Sequence, residues 1–346
     1  MRRSLRVGCL VAVGAACVTS LGHAQLALRL SVEQRGDAVL IGNTLAQNCA
    51  PELPAPQVGT VGNCGANDED SGADVFWSLG TAGQGPPVAN VSVTASEASS
   101  AALLTLPEGA TVTHARLYWS AFAGAGDRTR ATLSRVPGES LAVTAPAAVT
   151  AADNENTFYQ ASADVTAFVQ AGGAGVYRLG GIDAADPVGL DDTSYYAAWW
   201  LLVFYSLASE PVRYLGLYDG FERVANGSTS VTLSGFEVPP GAVDARLGVV
   251  AFEGDGSSDG DQVRVGAAAP LAAADAVGRA DNFFDGSRRG ASGAALAVAG
   301  DLPETSGEPD SWSGLDLHTV DVASAFAPGQ TSAEFLATTE EDRFFL

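Results

Sequence analysis

Two stretches of the chain decide the expected fold: residues 115–126, ARLYWSAFAGAG, and residues 245–256, ARLGVVAFEGDG. They align without a gap, and seven of the twelve positions are identical. Each stretch follows a Pro- and Gly-containing turn and leads into a Gly-Asp pair. An internal repeat of this size predicts two tandem copies of one structural unit.

The repeat continues further along the chain. Asp164-Val165 with Phe168 recurs as Asp321-Val322 with Phe326, and each group precedes a glycine turn and another apolar run. An Asp at such a position can cap a short helical turn. The predicted unit is a jelly-roll-like β-sandwich: hairpin strands, a capped turn and a return strand.

Short apolar runs broken by Gly, Pro, Asn and Asp indicate an all-β chain throughout. The run Ala197–Tyr205 does not alternate, which favours a central strand covered on both faces over the other interpretation, a buried helix. We assign residues 1–24 to a signal peptide, 25–87 to a disulfide-tied N-terminal segment, 88–206 to the first sandwich and 207–346 to the second.

The alignment predicts that the second copy is truncated, because Phe344-Phe345-Leu346 corresponds to the beginning of the central strand of the first copy. An incomplete sheet leaves an edge that can pair with another chain. We therefore expect that the second domain either recruits a strand-donating partner at this edge or is partly open and prone to self-association. The alternative is that the short tail suffices and a loop covers the edge.

The N-terminus has the features of a secretory leader. Arg2, Arg3 and Arg6 precede an apolar stretch that ends at a small-residue site, so cleavage after Ala24 is expected. Lipidation of Cys17 is an alternative that the sequence leaves open. Either route exports the protein, to the periplasm, the cell surface or the medium.

Cys49 and Cys64 remain after the leader and are expected to form a disulfide, because exported thiols meet oxidants. A loop of roughly 15 residues corresponds to about 3 kcal/mol in the chain-entropy model.

All 18 basic residues are arginines, and the net charge is -22. The electrostatic field of this negative charge repels nucleic acids and anionic lipids, so we expect neither as a partner. No run after the leader is long enough for membrane insertion as a helix.

The strongest candidate site is an acidic loop on a glycine-rich stretch, with Glu253, Asp255, Asp259 and Asp261 as candidate calcium ligands. The first copy has Ala123 where the second has Glu253, so the scaffold does not require these carboxylates. The alternative is a solvated hairpin turn. Weaker acidic groups lie elsewhere, at residues 67–70 with Asp74, and at Asp183, Asp186, Asp191 and Asp192.

Catalytic signatures are scarce. Beyond the leader the only histidines are His114 and His318, and there is no GxSxG or HExxH motif. We therefore expect no enzyme. Aromatic residues could instead stack on sugar rings, and the candidates for exposed positions are Trp77, Tyr195, Tyr196 and Trp312.

Several short segments together resemble the N-terminal module of large secreted bacterial surface proteins, which carry gliding-motility or adhesin-like labels and are often followed by immunoglobulin-like arrays. The segments are residues 37–45, 58–64, 74–77, 252–255 and 281–284. The resemblance implies a surface location but no chemistry.

We conclude from the sequence that a non-enzymatic, structural or adhesive surface module is the first hypothesis, with other surface proteins or extracellular glycans as partners. A calcium-assisted carbohydrate-binding module is the second, and a secreted glycan-active enzyme the third.

Overall fold

The computed structural model describes residues 24–48, 75–77, 94–153, 156–185, 195–256, 258–271 and 281–346. The predicted leader, Cys17 and the predicted disulfide between Cys49 and Cys64 lie outside these ranges. Within them the chain forms 18 strands, one short α-helix and one 3-10 turn. The prediction of an all-β chain is confirmed. No helix in the described part is long and apolar enough to cross a membrane.

A six-stranded sheet in the order β12-β1-β11-β5-β9-β8 forms the larger layer. Its strands are β1 (Ala24–Thr44), β5 (Thr111–Phe122), β8 (Ala148–Asp153), β9 (Asn156–Asp164), β11 (Ala197–Ser206) and β12 (Val212–Phe221).

A four-stranded sheet in the order β4-β10-β6-β7 packs against this layer. Its strands are β4 (Ser99–Leu104), β6 (Arg130–Val136), β7 (Ser140–Thr144) and β10 (Gly175–Gly180). Leu133 and Tyr177 of this sheet and Trp119 and Trp199 of the larger sheet are completely buried. The arrangement is β-sandwich-like.

A third sheet follows the order β13-β18-β14-β17-β16, and β15 pairs with β18. Its strands are β13 (Arg223–Ser234), β14 (Arg246–Gly254), β15 (Gln262–Val265), β16 (Arg288–Arg289), β17 (Gly314–Asp321) and β18 (Ser332–Phe345). The remaining strands, β2 (Ala46–Asn48) and β3 (Val75–Trp77), form a small ribbon.

The central-strand prediction is confirmed by β11, which lies between β1 and β5 and is buried along almost its whole length. The β1 strand, in the predicted N-terminal segment, belongs to the same sheet. So does β12, in the range predicted for the second sandwich, because β12 pairs with β1.

The internal repeat has the same strand register in both copies. Arg116 of β5 lies opposite Asp164 of β9, and Arg246 of β14 lies opposite Asp321 of β17. Both aspartates then accept a backbone N–H two residues later at 2.8 Å. The predicted short turns follow, as α1 (Thr166–Gly172) and the 3-10 turn Ala323–Ala325, but their N-cap residues are Val165 and Val322, one position after the aspartates, and neither has a side-chain cap hydrogen bond.

The two copies differ along one strand edge, which is the edge of β5 that faces away from β9 and the edge of β14 that faces away from β17. In the first copy, β11 runs along β5 over its whole length. In the second, the only described pairing of β14 away from β17 is Phe252 opposite Phe345. The side of β14 at Arg246–Ala251 that faces away from β17 has no strand neighbour among the described residues.

Candidate functional site

The predicted calcium ligands lie where β14 ends and β15 begins, and the structure separates them. Glu253 and Asp261 are buried, at 3% and 0% exposure. Asp255 is half-buried and Asp259 is exposed. The alternative of a solvated turn therefore does not describe Glu253 or Asp261, whereas Asp259 is exposed to solvent.

The backbone conformation at the end of β14 turns the acidic loop toward the protein interior. Glu253 has φ +70°, which bends the end of β14. The next residue, Gly254, is so close to the Asp316 carboxylate and to the Phe284 carbonyl that a Cβ atom there would overlap both. Glycine at 254 thus allows the strand end to lie directly against Asp316 on β17.

Asn282 attaches a second segment to this loop. Asn282 forms a parallel bridge with Asp261, and Phe283 N donates to Asp261 O at 3.1 Å. The Asn282 side-chain amide donates to Asp255 O at 2.9 Å. Its N–H group is therefore engaged with the loop, while its carbonyl oxygen has no donor among the described residues.

Around this loop, four buried side chains other than Glu253, which pairs with Arg343, have oxygen atoms without a hydrogen bond of ordinary geometry. They are Oδ1 of Asn282, Oδ2 of Asp316, Oδ2 of Asp342 and both carboxylate oxygens of Asp261, which lies close enough to Thr339 and Asp342 for these to lower its pKa. All four residues are at most 6% exposed. We call them the acidic centre. An unpartnered buried acceptor costs about 1–3 kcal/mol, more when charged, so a group of them requires an explanation.

Burial and mutual repulsion perturb these carboxyls strongly. Burial raises the pKa of Asp261 to about 7, and the charges of Asp316 and Asp255 add to the effect. Burial raises the pKa of Asp316 to about 8. Burial and then the charge of Asp261 raise the pKa of Asp342 to about 10. Without a cation, the fold therefore favours protonated carboxyls, and a bound dication would favour ionised ones.

A hydrogen-bonded network flanks the acidic centre. Ligand atoms of Asp285, Asp316 and His318 lie within 4.8 Å of one another, and His318 Nε2 is 3.3 Å from Asp316 Oδ1. Ser287 donates its N–H to Asp316 Oδ1 at 3.2 Å and its hydroxyl to Asp285. Arg289 forms an ion pair with Asp285.

This network orients Asp316. Burial lowers the pKa of His318 to about 4, so its ring is neutral. Ser287 and His318 are completely buried, which leaves Ser287 no access to a substrate. Although the distances would accommodate a metal, Asp285 is already neutralised by Arg289. The acidic centre shares Asp316 with this network, but among the described residues only the network brings three such side chains within 4.8 Å of one another.

No family model, no curated protein and no solved structure matches this chain. The site must therefore be judged from its own chemistry.

The structure describes some of the other predicted acidic and aromatic residues but not all of them. Of the weaker acidic groups, only Asp183 is described, and it accepts the N–H of Gly126 at 2.7 Å. Residues 67–70, Asp74, Asp186, Asp191 and Asp192 lie outside the described ranges. The exposed-aromatic prediction is wrong for Tyr195, Tyr196 and Trp312, which are at most 2% exposed because they pack in the main core. The side chain of Trp77 lies outside the described structure.

Sequence reasoning missed Asn282, Asp316 and Asp342 as members of the site. They belong to three segments remote from the acidic loop, so no local spacing indicates them. The one available signal was the Asp281-Asn282-Phe283-Phe284 motif, which carried only the resemblance.

Proposed function

We propose that this chain is a secreted, non-enzymatic surface module of jelly-roll-like sandwiches, in which calcium holds the second sandwich together. The observation that carries the proposal is the acidic centre, with its buried oxygen atoms that lack a hydrogen bond of ordinary geometry. The module works by recognition or spacing at the cell surface. Its partners are other surface proteins or extracellular glycans.

Calcium suits the centre because all of the open ligand atoms are oxygens. Calcium takes six to eight oxygen ligands and accepts carboxylates, amide carbonyls and irregular loops. In this proposal the carboxylates of Asp261, Asp316 and Asp342 and the amide oxygen of Asn282 would supply the inner ligands after moving closer together, because the three carboxylates do not all lie within 4.8 Å of one another. Asp255, half-buried at the rim, would contribute another.

A cation here would stabilise the fold by joining distant segments. The acidic centre contains residues from the β14–β15 loop, the segment before β16, β17 and the end of β18. Calcium bound to the native state alone stabilises it by mass action, by about 2.7 kcal/mol at 100 times the dissociation constant. In this proposal calcium is therefore structural.

The test is a calcium titration followed by thermal unfolding and calorimetry. Millimolar calcium should raise the melting temperature, and a chelator should reverse the effect. Asp261→Asn combined with Asp342→Asn should abolish the response. Asp259→Asn is the matched control, because Asp259 is on the same loop but exposed. A melting temperature indifferent to calcium, or an equal loss in the control, would refute the proposal.

The edge of β14 at Arg246–Ala251 that faces away from β17 favours a second mode of recognition, in which a partner adds a strand to the sheet. In the first copy the equivalent side of β5 pairs with the predominantly apolar β11. An edge of this kind presents unpaired N–H and C=O groups to an extended segment of a partner. A strand-donating partner would complete the second sheet as β11 completes the first.

A further inference from the structure

A cavity of about 290 Å³ lies between β1, β12 and the face of β11, β5 and β9, and it shares no lining residue with the acidic centre. Its size is close to the lower end of the range for small-molecule sites. Arg29, His114, Arg116 and Asp164 are its ionisable lining residues. Three of these four side chains are basic, in a chain whose net charge is -22.

Two nitrogen atoms in the cavity wall lack partners. Arg116 Nε and His114 Nδ1 are buried, and neither has a hydrogen-bond partner among the described residues. Arg116 is otherwise held in place, because it donates to Ser162 Oγ at 2.8 Å and lies over the Tyr118 ring at 5.6 Å. The guanidinium is thus fixed by the scaffold with donor capacity remaining.

The internal repeat provides a comparison within the same molecule. Arg246 occupies the position of Arg116 in the second copy, and there Asp244 stands where the first copy has His114. Arg246 forms ion pairs with Asp37 and with Asp244. The second copy therefore pairs its arginine with two carboxylates, whereas the first copy has histidine in place of Asp244 and keeps Asp164, on the neighbouring strand, as the carboxylate that interacts with Arg116 and His114 in the cavity.

Apart from Thr166, the rest of the cavity lining is apolar. Leu30, Leu202 and Leu217 line it, and Phe204 lies behind His114 with their ring centroids 6.2 Å apart. A fully hydrated inorganic anion would make no favourable contact with these apolar side chains. An organic anion can place its carboxylate against the arginine, in the charge-assisted geometry that guanidinium favours, and its apolar body against the leucines.

From these observations we infer that the cavity binds a small organic carboxylate with an apolar body, with Arg116 and His114 as the recognition residues. Arg29 is less available, because it already pairs with Asp219. The site is separate from the acidic centre and does not depend on calcium.

The experiment is isothermal titration calorimetry of the full chain with benzoate, galacturonate and sulfate as probes. Benzoate should bind most tightly. The decisive variant is His114→Asp, which gives the first copy the residue that the second copy carries at the same position. It should weaken benzoate binding at least tenfold by pairing Arg116 internally. Asp244→Asn and Arg246→Ala are the matched controls in the second copy and should leave binding unchanged.

Three outcomes would overturn the inference. The first is no heat of binding with benzoate at 10 mM, on the order of the weakest affinity such a site would have. The second is equal or tighter binding of sulfate or galacturonate, and the third is an equal loss of benzoate binding in the second-copy controls. If circular dichroism shows that His114→Asp is unfolded, Leu202→Glu places a carboxylate at the cavity wall instead. Undiminished benzoate binding in folded Leu202→Glu would likewise exclude this cavity.

Discussion

Phe345 lies opposite Phe252 where the end of β18 meets the end of β14. The Phe345 ring stacks on Phe221 at a centroid distance of 5.3 Å and lies 4.7 Å from the ring of Phe158. Because Phe158 belongs to the six-stranded sheet, the last strand of the second copy contributes to the core of the first. The two copies therefore share one hydrophobic core at this point.

This shared core predicts that Phe345→Ala destabilises the whole protein. Truncating a fully buried phenylalanine removes about 3–5 kcal/mol. Chemical denaturation should show one cooperative transition shifted to lower denaturant. Val212→Ala, at an exposed position, is the control and should change stability by less than about 0.5 kcal/mol. Two separate transitions, with only one affected, would show that the copies unfold independently.

Asp153 joins the two copies electrostatically. It is buried on β8 and forms ion pairs with Arg223 at 2.6 Å and with Arg343 at 3.0 Å. Asp153→Asn leaves both guanidinium groups without this charge. Since the arginines are partly exposed, we expect a loss of roughly 2 kcal/mol, below the range for fully buried pairs. Denaturant unfolding measures the loss.

The matched control for Asp153 is Asp127→Asn, which breaks the solvent-exposed ion pair with Arg130. Exposed pairs contribute about 0–1 kcal/mol. Similar losses in the two variants would contradict a special role for Asp153.

The acidic centre predicts an unusual pH dependence for the calcium-free chain. The folded-state pKa values of Asp261, Asp316 and Asp342 are about 7, 8 and 10. An unfolded Asp has a pKa of about 3.9, so the folded state holds protons that the unfolded state has released. Stability should therefore fall as the pH rises above about 4, by up to about 1.4 kcal/mol per unit for each carboxyl until the pH reaches its folded pKa, so between about pH 6.5 and 9 the fall comes mainly from Asp316 and Asp342.

His318 acts in the opposite direction but in a lower window. Its folded pKa of about 4 lies below the usual 6.5, so its contribution to stability is lost as the pH falls from 6.5 to 4. Thermal unfolding between pH 6.5 and 9 in chelator isolates the carboxyls. Asp342→Asn should flatten the slope, Asp259→Asn should not, and saturating calcium should remove it. A flat profile in chelator would argue against these buried carboxyls.

The side of β14 that faces away from β17 predicts a contrast in hydrogen exchange. Amides of β5 that bond to β11 should be protected, whereas the equivalent amides of Arg246–Ala251 should exchange much faster in the monomer. Their protection should increase on self-association or on binding a strand-donating partner. Equal protection of the two strands in the monomer would mean that the β14 edge is covered.

Much of the strand arrangement was predictable because its signals are local. Alternation with a period of two marks strands, and the continuous apolar run of β11 marks a strand with both faces covered. The repeat predicted that β5 and β14 have the same role, and the aspartates at 164 and 321 predicted where the turns begin. These features depend on residues within about ten positions of one another.

Only the tertiary structure decided which remote side chains meet. Alternation assigns a residue to a face of a strand but does not specify the layer that covers that face. Asn282, Asp316 and Asp342 therefore gave no local sign that they would join Asp261, and Tyr196 gave none that it would be buried. Glu253 and Asp261 were found as acidic loop residues from the sequence. Their burial among like charges, which makes the loop a candidate cation site, results from the packing of β14, β17 and β18.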